Sequence, residues 1–162
     1  LEQQLCLLRG NRVVTMDVAS NSLDLSRRLG SEWVVDYGSP NKAEIVREFL
    51  KDRKIDYVID NVCAEETINF AASQVKKKGE IIVVGVSNVA LGIDFKTLLL
   101  REVALKSSYL YSHKDYLEAA DMVSRGVLAV RQLISKIFPL RNAKEAFEYK
   151  HKVPSIKVIL TT

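Results

Sequence analysis

Asp17 is the residue of this chain whose type and position point most directly to chemistry. It lies near the end of the short β-rich run Arg12–Val18, and ligands of doubly wound folds bind at the carboxyl ends of strands. A carboxylate there can accept hydrogen bonds from both ribose hydroxyls of an adenine nucleotide and would repel a 2′-phosphate. The position therefore predicts a site that prefers NAD to NADP. The plainer interpretation is a solvent-facing aspartate at a strand end.

Two further predicted strand ends carry residues suited to a ligand. The segment Asp60–Cys63 follows one strand, and Val84–Ser87 follows another. Gly85 would let a ligand approach the backbone closely, because it has no Cβ. A simple strand-to-loop turn explains the same glycine equally well.

Other motifs that carry chemistry are missing or weak. The seven glycines do not form the G-x-G-x-x-G loop that normally cradles a pyrophosphate. The two cysteines and two histidines have no zinc-site spacing, which argues against a structural zinc. Ser112, His113 and Asp115 lie close enough to suggest an activated hydroxyl, but such local spacing is more typical of a helix cap. We therefore predict no catalytic group and no metal site.

The composition limits the classes of partner. The 162 residues are 48% hydrophobic and 27% charged, with a formal net charge of +4. Positive charge clusters tightly only at Lys76–Lys78, which we expect at the end of a helix, where it complements the helix dipole. This pattern predicts no nucleic-acid partner. Because we find no signal peptide, no long apolar segment and no disulfide framework, the sequence favours a cytoplasmic protein without a membrane partner.

Strand-like and helix-like segments alternate along the chain. Nearly continuous apolar runs such as Glu80–Val86 are typical of a parallel sheet covered on both faces. The sequence therefore predicts one α/β domain over residues 1–162, with a doubly wound Rossmann-type parallel sheet. Helices are predicted at Leu1–Arg9, after a cap at Ser20 or Asn21, from Ser39–Pro40, and at Ala64–Val75, Tyr116–Ser124 and Asn142–Lys150. Strands are predicted at Arg12–Val18, Trp33–Asp36, Asp56–Asp60, Glu80–Val86, Ala104–Tyr109 and Ile156–Leu160.

The order and spacing of these segments resemble the cofactor-binding part of the medium-chain dehydrogenase/reductase family. This family comprises the zinc-type alcohol dehydrogenases and their quinone- and enoyl-reductase relatives. The stretches that carry the resemblance are Arg12–Asp17, Leu25–Tyr37, Asp56–Val62, Lys78–Val86, Phe138–Leu140, Ala143–Phe147 and Lys157–Leu160. The resemblance implies part of an oxidoreductase that transfers a hydride between NAD(H) and an alcohol, a carbonyl or an activated alkene.

The resemblance also implies roles for individual residues. Asp17 matches the aspartate that binds the ribose in NAD-preferring members. Further matches lie beside the riboses, the nicotinamide and its carboxamide, and the pyrophosphate: Asn61, Val62, Val84, Gly85, Val86, Ser108, Leu110 and Lys157. Two positions depart from the family pattern, because Cys63 stands where glycine is common and Ser22 where a basic residue is common.

The resemblance further implies what lies outside this chain. In the family, a catalytic domain with the catalytic zinc and the proton relay comes first, followed by the first Rossmann strand and the glycine loop. This chain begins inside the next helix, so we expect it to be catalytically silent alone and to bind NAD weakly or not at all. The sheet would lack a strand between the Arg12 and Asp56 strands. That gap would have to be closed by direct pairing, by another chain or by a longer parent protein.

Two other functions remain open on the sequence. A methyltransferase that uses S-adenosylmethionine also binds ribose through an acid at the end of its second strand. A non-catalytic nucleotide-binding or interaction module could also retain this fold.

The alternating run at residues 104–110 predicts self-association. It should form a strand at or near a sheet edge, and no proline between Leu91 and Tyr111 blocks edge pairing. The resembling family pairs this part of the domain across a two-fold axis. We therefore expect a homodimer with an isologous interface.

Overall fold

Seven β-strands and seven α-helices alternate along residues 1–162, all of which the computed structural model describes. Every strand pair is parallel, which confirms the predicted α/β class. The helices are α1 (Glu2–Leu8), α2 (Ser20–Arg28), α3 (Lys42–Leu50), α4 (Glu65–Gln74), α5 (Phe95–Arg101), α6 (His113–Ser124) and α7 (Ala143–Lys152). The strands are β1 (Val14–Asp17), β2 (Trp33–Asp36), β3 (Ile55–Asp60), β4 (Val75–Val83), β5 (Ala104–Ser107), β6 (Ile134–Pro139) and β7 (Lys157–Thr161).

The chain divides into two units, residues 1–49 with 113–162 and residues 50–112. The first unit holds two separate two-stranded sheets, β1-β2 and β6-β7, and the second holds one sheet in the order β3-β4-β5. The organisation of residues 1–162 as one domain stays a prediction. None of the helices has the length and apolar character needed to cross a membrane.

In the first unit, α2 and α3 cover the β1-β2 sheet with apolar side chains. Leu25 of α2, Val35 of β2 and Val46 of α3 are each at most 3% exposed. The ring of Phe49 lies 5.5 Å from that of Trp33. Val46 and Phe49 thus give α3 one buried face, and Trp33 packs against Phe49 while it stays partly exposed.

The leucines whose helical spacing predicts α1 do not form a core. These residues, Leu1, Leu5 and Leu8, are 36–56% exposed. Two glutamines orient the helix instead: Gln3 Nε2 donates to the backbone carbonyl of Ser26 at 2.8 Å, and Gln4 Oε1 accepts from the backbone N–H of Ala129 at 2.7 Å. The apolar spacing therefore predicts the helix correctly and its buried face wrongly.

The sequence pattern does not predict β6, because Ser135 and Lys136 interrupt its apolar residues. In the structure β6 pairs with β7, and Phe138 lies with its ring 5.6 Å from that of Tyr149 in α7. The capping box predicted for α7 does not form around the backbone. Asn142 Nδ2 donates to the Glu145 carboxylate at 2.9 Å instead.

In the second unit, α4 and α5 pack on one face of the β3-β4-β5 sheet. Ala72, Val75 and Ile81 are 0% exposed, and Leu98 of α5 is 5% exposed. Ile81 lies in register with one residue on each neighbouring strand. Apolar burial on the central strand therefore fixes the register of this sheet.

The bounds of β4 correct the prediction at both ends, because the strand begins at Val75 and ends before Val84. The Lys76–Lys78 cluster consequently lies within the strand and not at a helix end. Lys76 Nζ lies 2.5 Å from the Asp56 carboxylate, and the next two lysines lie 2.9 and 3.5 Å from that of Glu102. These acids neutralise the charge that was expected to complement a helix dipole.

The helices α2 and α3 begin at other residues than the sequence predicts. The third helix begins at Lys42, because the N–H of Lys42 donates to Ser39 O at 3.3 Å and that of Ile45 to Asn41 O at 3.1 Å. The cap of α2 is Ala19, and not Ser20 or Asn21.

The strands on either side of the expected gap, β1 and β3, each have one strand partner within their own unit. β1 pairs only with β2, and β3 pairs only with β4. Each of these strands therefore keeps one edge without a ladder, which leaves its backbone N–H and C=O groups on that edge without strand partners.

The N-terminus of α5 is fixed by Asp94, in a segment that the sequence leaves as a loop or short strand. Asp94 Oδ1 accepts from the Thr97 N–H at 3.1 Å, and Oδ2 accepts from the Thr97 hydroxyl at 2.5 Å. The Thr97 hydroxyl, and after it the Thr97 N–H, holds the pKa of Asp94 below its ordinary value.

We expect this cap to make stability depend on pH in the acidic range. Because the folded pKa is lowered, the cap contributes fully above the unfolded pKa of about 3.9, and its contribution is lost as the pH falls through the folded pKa. Asp94→Asn keeps an acceptor for Thr97 but cannot ionise. Urea unfolding at about pH 6 and about pH 2 should show a smaller loss of unfolding free energy for the variant. Equal losses in the two proteins would contradict this account.

Candidate functional site

Asp17 ends β1 opposite Asp36 of β2. Its Oδ1 accepts from the N–H of Ala19 at 2.9 Å, and its backbone carbonyl accepts from the N–H of Tyr37 at 2.9 Å. No hydrogen bond from the chain reaches Oδ2, and the residue is half-buried. One carboxyl oxygen thus orders the loop into α2, while the other is available to a ligand that donates hydrogen bonds.

A cavity of about 340 Å³ lies beside the first turn of α2. Its walls are Ala19, Asn21, Ser22 and the segment 150–155. The two lysines that line it have partners in or just after α7. Lys150 Nζ donates to the backbone carbonyls of Ser155 and Ile156, and Lys152 Nζ lies 3.4 Å from the Glu148 carboxylate. Ser22, where the family often has a basic residue, lines this cavity.

Asp60 organises the loop that follows β3. It is 5% exposed, and its Oδ1 accepts from the N–H groups of Val62 at 2.7 Å and Cys63 at 2.8 Å. Its backbone carbonyl accepts from the N–H groups of Val84 at 2.8 Å and Gly85 at 3.1 Å. Sequence reasoning placed Asp60 at a strand end but assigned it no role. The available signal was the tendency of aspartate to bind the backbone two residues on.

Gly85 is required by a close approach within the chain. A Cβ at this position would lie 2.7 Å from backbone atoms of Asn61, Val62 and Cys63. The sequence allowed two explanations for this glycine, a bound ligand or a simple turn. The structure adds a third explanation, which is close contact with the loop after β3. A role for Gly85 toward a cofactor stays a prediction.

The second unit brings most of the predicted site residues to the carboxyl ends of three adjacent parallel strands. Gly85 meets the loop at Asn61 and Val62. Ser108, just beyond the end of β5, donates its backbone N–H to Val83 O at 2.9 Å. Exposed apolar side chains surround this edge: Val62 is 63%, Val84 36%, Val86 67% and Leu110 73% exposed.

Two predicted residues belong to the first unit. Asp17 lies at the carboxyl end of β1, whereas Lys157 begins β7, where it is exposed and in register with Ile134 of β6. The other candidate residues all belong to the second unit.

The residues present do not fit a zinc site. No group of three or more His, Cys, Asp or Glu side chains lies where it could hold a metal ion. Cys6 and Cys63 are free, half-buried thiols. The chain therefore supplies no set of ligands for zinc.

These strand ends can be compared with known proteins. Residues 3–125 match a family model described as zinc-binding dehydrogenase. The chain belongs to this family. The match covers β1 to β5, which carry all the candidate residues except Lys157.

Curated relatives of this chain include dehydrogenases named for alcohols, sorbitol and D-arabitol phosphate. Alcohol dehydrogenase 2 of Caenorhabditis elegans is 31% identical over 123 residues, which cover 75% of this chain and 34% of that protein. D-arabitol-phosphate dehydrogenase of Enterococcus avium is 26% identical over 142 residues, or 87% of this chain and 40% of that protein. The chain thus spans about two fifths of the length of such relatives.

Solved structures show the same fold. Alcohol dehydrogenase TADH from Thermus sp. ATN1 matches with a TM-score of 0.88 and 20% identity, over 98% of this chain and 46% of that one. A short chain alcohol dehydrogenase (rspB) from Escherichia coli CFT073, complexed with NADH, matches with a TM-score of 0.86 and 21% identity, over 99% of this chain and 48% of that one. This likeness confirms the Rossmann-type fold.

Cys63 adopts a left-handed backbone conformation, with φ of +57°, at a position where the family often has glycine. This conformation is strained for a residue with a Cβ. We expect Cys63→Gly to raise the free energy of unfolding by about 0.5–1 kcal/mol, after the added flexibility of the unfolded chain is subtracted. Cys63→Ala retains the strain and is the matched control. Urea unfolding of the three proteins measures the effect, and equal stabilities of both variants would show that the backbone angle is not the cause.

Proposed function

We propose that this chain is the cofactor-binding part of an NAD-dependent dehydrogenase. The dehydrogenase would transfer a hydride between NAD(H) and an alcohol or carbonyl substrate, or an activated alkene. Membership of the zinc-binding dehydrogenase family supports this proposal. The observation that carries it is Asp17, an aspartate at the carboxyl end of β1 with one carboxyl oxygen free of protein donors. Ribose hydroxyls are donors of the kind that this oxygen can bind.

The bound cofactor would supply the hydride chemistry, while the chain binds and orients it. Asp17 would hold the adenosine ribose, and Lys157 would lie near the pyrophosphate. The remaining walls would come from the strand ends of the second unit, namely Asn61, Val62, Val84, Gly85, Val86, Ser108 and Leu110. NAD is favoured over NADP, because the Asp17 carboxylate would repel a 2′-phosphate.

The chain alone is proposed to be catalytically silent. It contains no residue cluster for zinc and no glycine-rich loop to donate backbone N–H groups to a pyrophosphate. We therefore expect NADH binding weaker than micromolar for the isolated chain, and no turnover.

Asp17 provides the test of cofactor choice. Asp17→Asn keeps an oxygen acceptor for Ala19 but loses the charge, so it should relax discrimination against NADPH. We expect the affinity difference between NADH and NADPH to fall by about 1–3 kcal/mol, the range for a hydrogen bond to a charged group. Calorimetric titration of both cofactors checks this in the dehydrogenase that carries the chain. Asp36→Asn is the matched control, because Asp36 ends β2 with the same backbone contact, to Gly38 N–H at 2.8 Å.

Other outcomes of the same titration would refute the proposal. An unchanged preference in Asp17→Asn would return Asp17 to the interpretation of an exposed strand end. Tighter binding of S-adenosylmethionine than of NADH would favour the methyltransferase alternative.

A homodimer through β5 is proposed on the exposure of that strand. β5 pairs only with β4, so its other edge is unpaired. Leu105 is 43% exposed and Tyr109 75% exposed. Isologous pairing of two such edges would satisfy their backbone groups and cover these side chains.

Light scattering on the purified chain should therefore give twice the monomer mass at micromolar concentration. Leu105→Lys should yield a monomer, because it places a charge in the proposed interface. Phe147→Lys is the matched control, since Phe147 is 73% exposed on α7 and lies outside the proposed interface. A monomeric wild-type chain would refute the dimer, and a dimer that survives Leu105→Lys would place the interface elsewhere.

A further inference from the structure

The loops that follow β3 and β4 are joined through one buried residue. The side chain of Asp60 binds the N–H groups of Val62 and Cys63 at 2.7 and 2.8 Å. Its backbone carbonyl binds those of Val84 and Gly85 at 2.8 and 3.1 Å. A single residue therefore holds four backbone donors, two from each loop.

The backbones of the 61–63 loop and of Gly85 are also closely packed. A Cβ on Gly85 would lie 2.7 Å from backbone atoms of the 61–63 loop. Backbone atoms cannot rotate away as the end of a flexible side chain can. The 61–63 loop is thus held by the Asp60 carboxyl group and is also in contact with the backbone at Gly85.

We infer that Asp60 is a positioning residue for the cofactor wall. It holds the 61–63 loop and the 84–86 loop as one rigid body, so that the exposed side chains of Val62 and Val86 keep a fixed geometry toward a nicotinamide cofactor. The inference rests on the proposed function, since that function makes these loops the cofactor wall. Asp60 acts through the backbone that it binds.

The hydrogen bonds of Asp60 identify the variant that should preserve this role. Only Oδ1 accepts hydrogen bonds from the chain, and Oδ2 accepts none. Asparagine retains an oxygen at the first position and places its amino group at the second, so no contact is lost. Leucine fills a similar space but offers no acceptor. A role limited to filling space would make leucine at least as good as asparagine.

Amide hydrogen exchange of the 162-residue chain, followed by NMR, tests the inference without any ligand. In Asp60→Leu, we expect the amides of Val62 and Cys63 to exchange roughly tenfold faster or more, because each loses a hydrogen bond to the carboxyl oxygen. The amide signals of Val84 and Gly85 should shift in the same variant. Asp60→Asn should restore exchange to within about twofold of wild type.

A second variant keeps the test decisive if Asp60→Leu does not fold. Gly85→Ala leaves every donor and acceptor in place, but its Cβ must displace the 61–63 loop. It should therefore accelerate exchange at Val62 and Cys63, although neither residue is changed. Leu98→Ala, which opens a cavity in the core of the same unit, is the control for general destabilisation and should leave the amide shifts of both loops unchanged.

Defined results would overturn the inference. Unchanged exchange at Val62 and Cys63 in Asp60→Leu, or in Gly85→Ala, would show that the loops are not held together. Equal behaviour of Asp60→Asn and Asp60→Leu would reduce Asp60 to a space-filling residue.

Addition of NADH separates this inference from the proposed function. With NADH up to about 10 mM, a range that detects millimolar affinity, signals of Val62 and Gly85 should shift in wild type and in Asp60→Asn, and at least twofold less in Asp60→Leu. If NADH shifts other signals of the wild-type chain but not those of Val62 and Gly85, the cofactor role of these loops is refuted, whereas the exchange data alone decide whether Asp60 holds them. Full-sized NADH shifts in Asp60→Leu would refute the positioning role.

Discussion

Burial of β4 between two parallel neighbours is the constraint on which the second unit depends. Val75 and Ile81 of this strand are fully buried against α4 and α5. A register slip by one residue would turn these side chains to the opposite face and place lysine or glutamate in the core. The core thereby fixes where β3, β4 and β5 end, and the candidate loops all begin at those ends.

Aspartates end three of the strands in a common way. Asp17, Asp36 and Asp60 each accept a hydrogen bond at Oδ1 from the backbone N–H two residues on. The three differ in exposure, from the exposed Asp36 through the half-buried Asp17 to the buried Asp60. The same local motif therefore occurs in a simple turn at Asp36, in a turn at Asp17 whose second carboxyl oxygen has no donor from the chain, and at Asp60, which binds two loops.

Local patterns in the sequence were sufficient for much of the fold and for part of the site. Trp33–Asp36 was predicted with its correct bounds, because β-branched residues follow the helix-ending Gly30. The start of β4 was missed, since Lys76–Lys78 becomes compatible with a strand only through acids 20 or more positions away. The leucines of α1 gave the correct helix but the wrong buried face, because hydrogen bonds of two glutamines to distant backbone groups decide the orientation.

For the candidate site, too, local patterns could be predicted and contacts between distant residues could not. An acid at the end of a strand is a local pattern, so the position of Asp17 could be predicted. The function of Asp60 depends on backbone donors in two loops, one of them more than 20 residues away. For Gly85 the sequence left a ligand and a simple turn equally open, whereas the close approach in the structure comes from the chain itself.

The contact at Gly85 separates what can vary during evolution from what cannot. Any side chain at position 85 collides with backbone, so this position should tolerate little substitution and the backbone path of the loop it faces should stay the same. The side chains of the neighbouring Val62 and Val86 are more than 60% exposed, and only the backbone of Val62 takes part in that contact. Their side chains can change in size and polarity without disturbing the frame beneath. Such an arrangement lets a lineage alter the chemistry of this exposed surface by single substitutions while the supporting backbone stays the same.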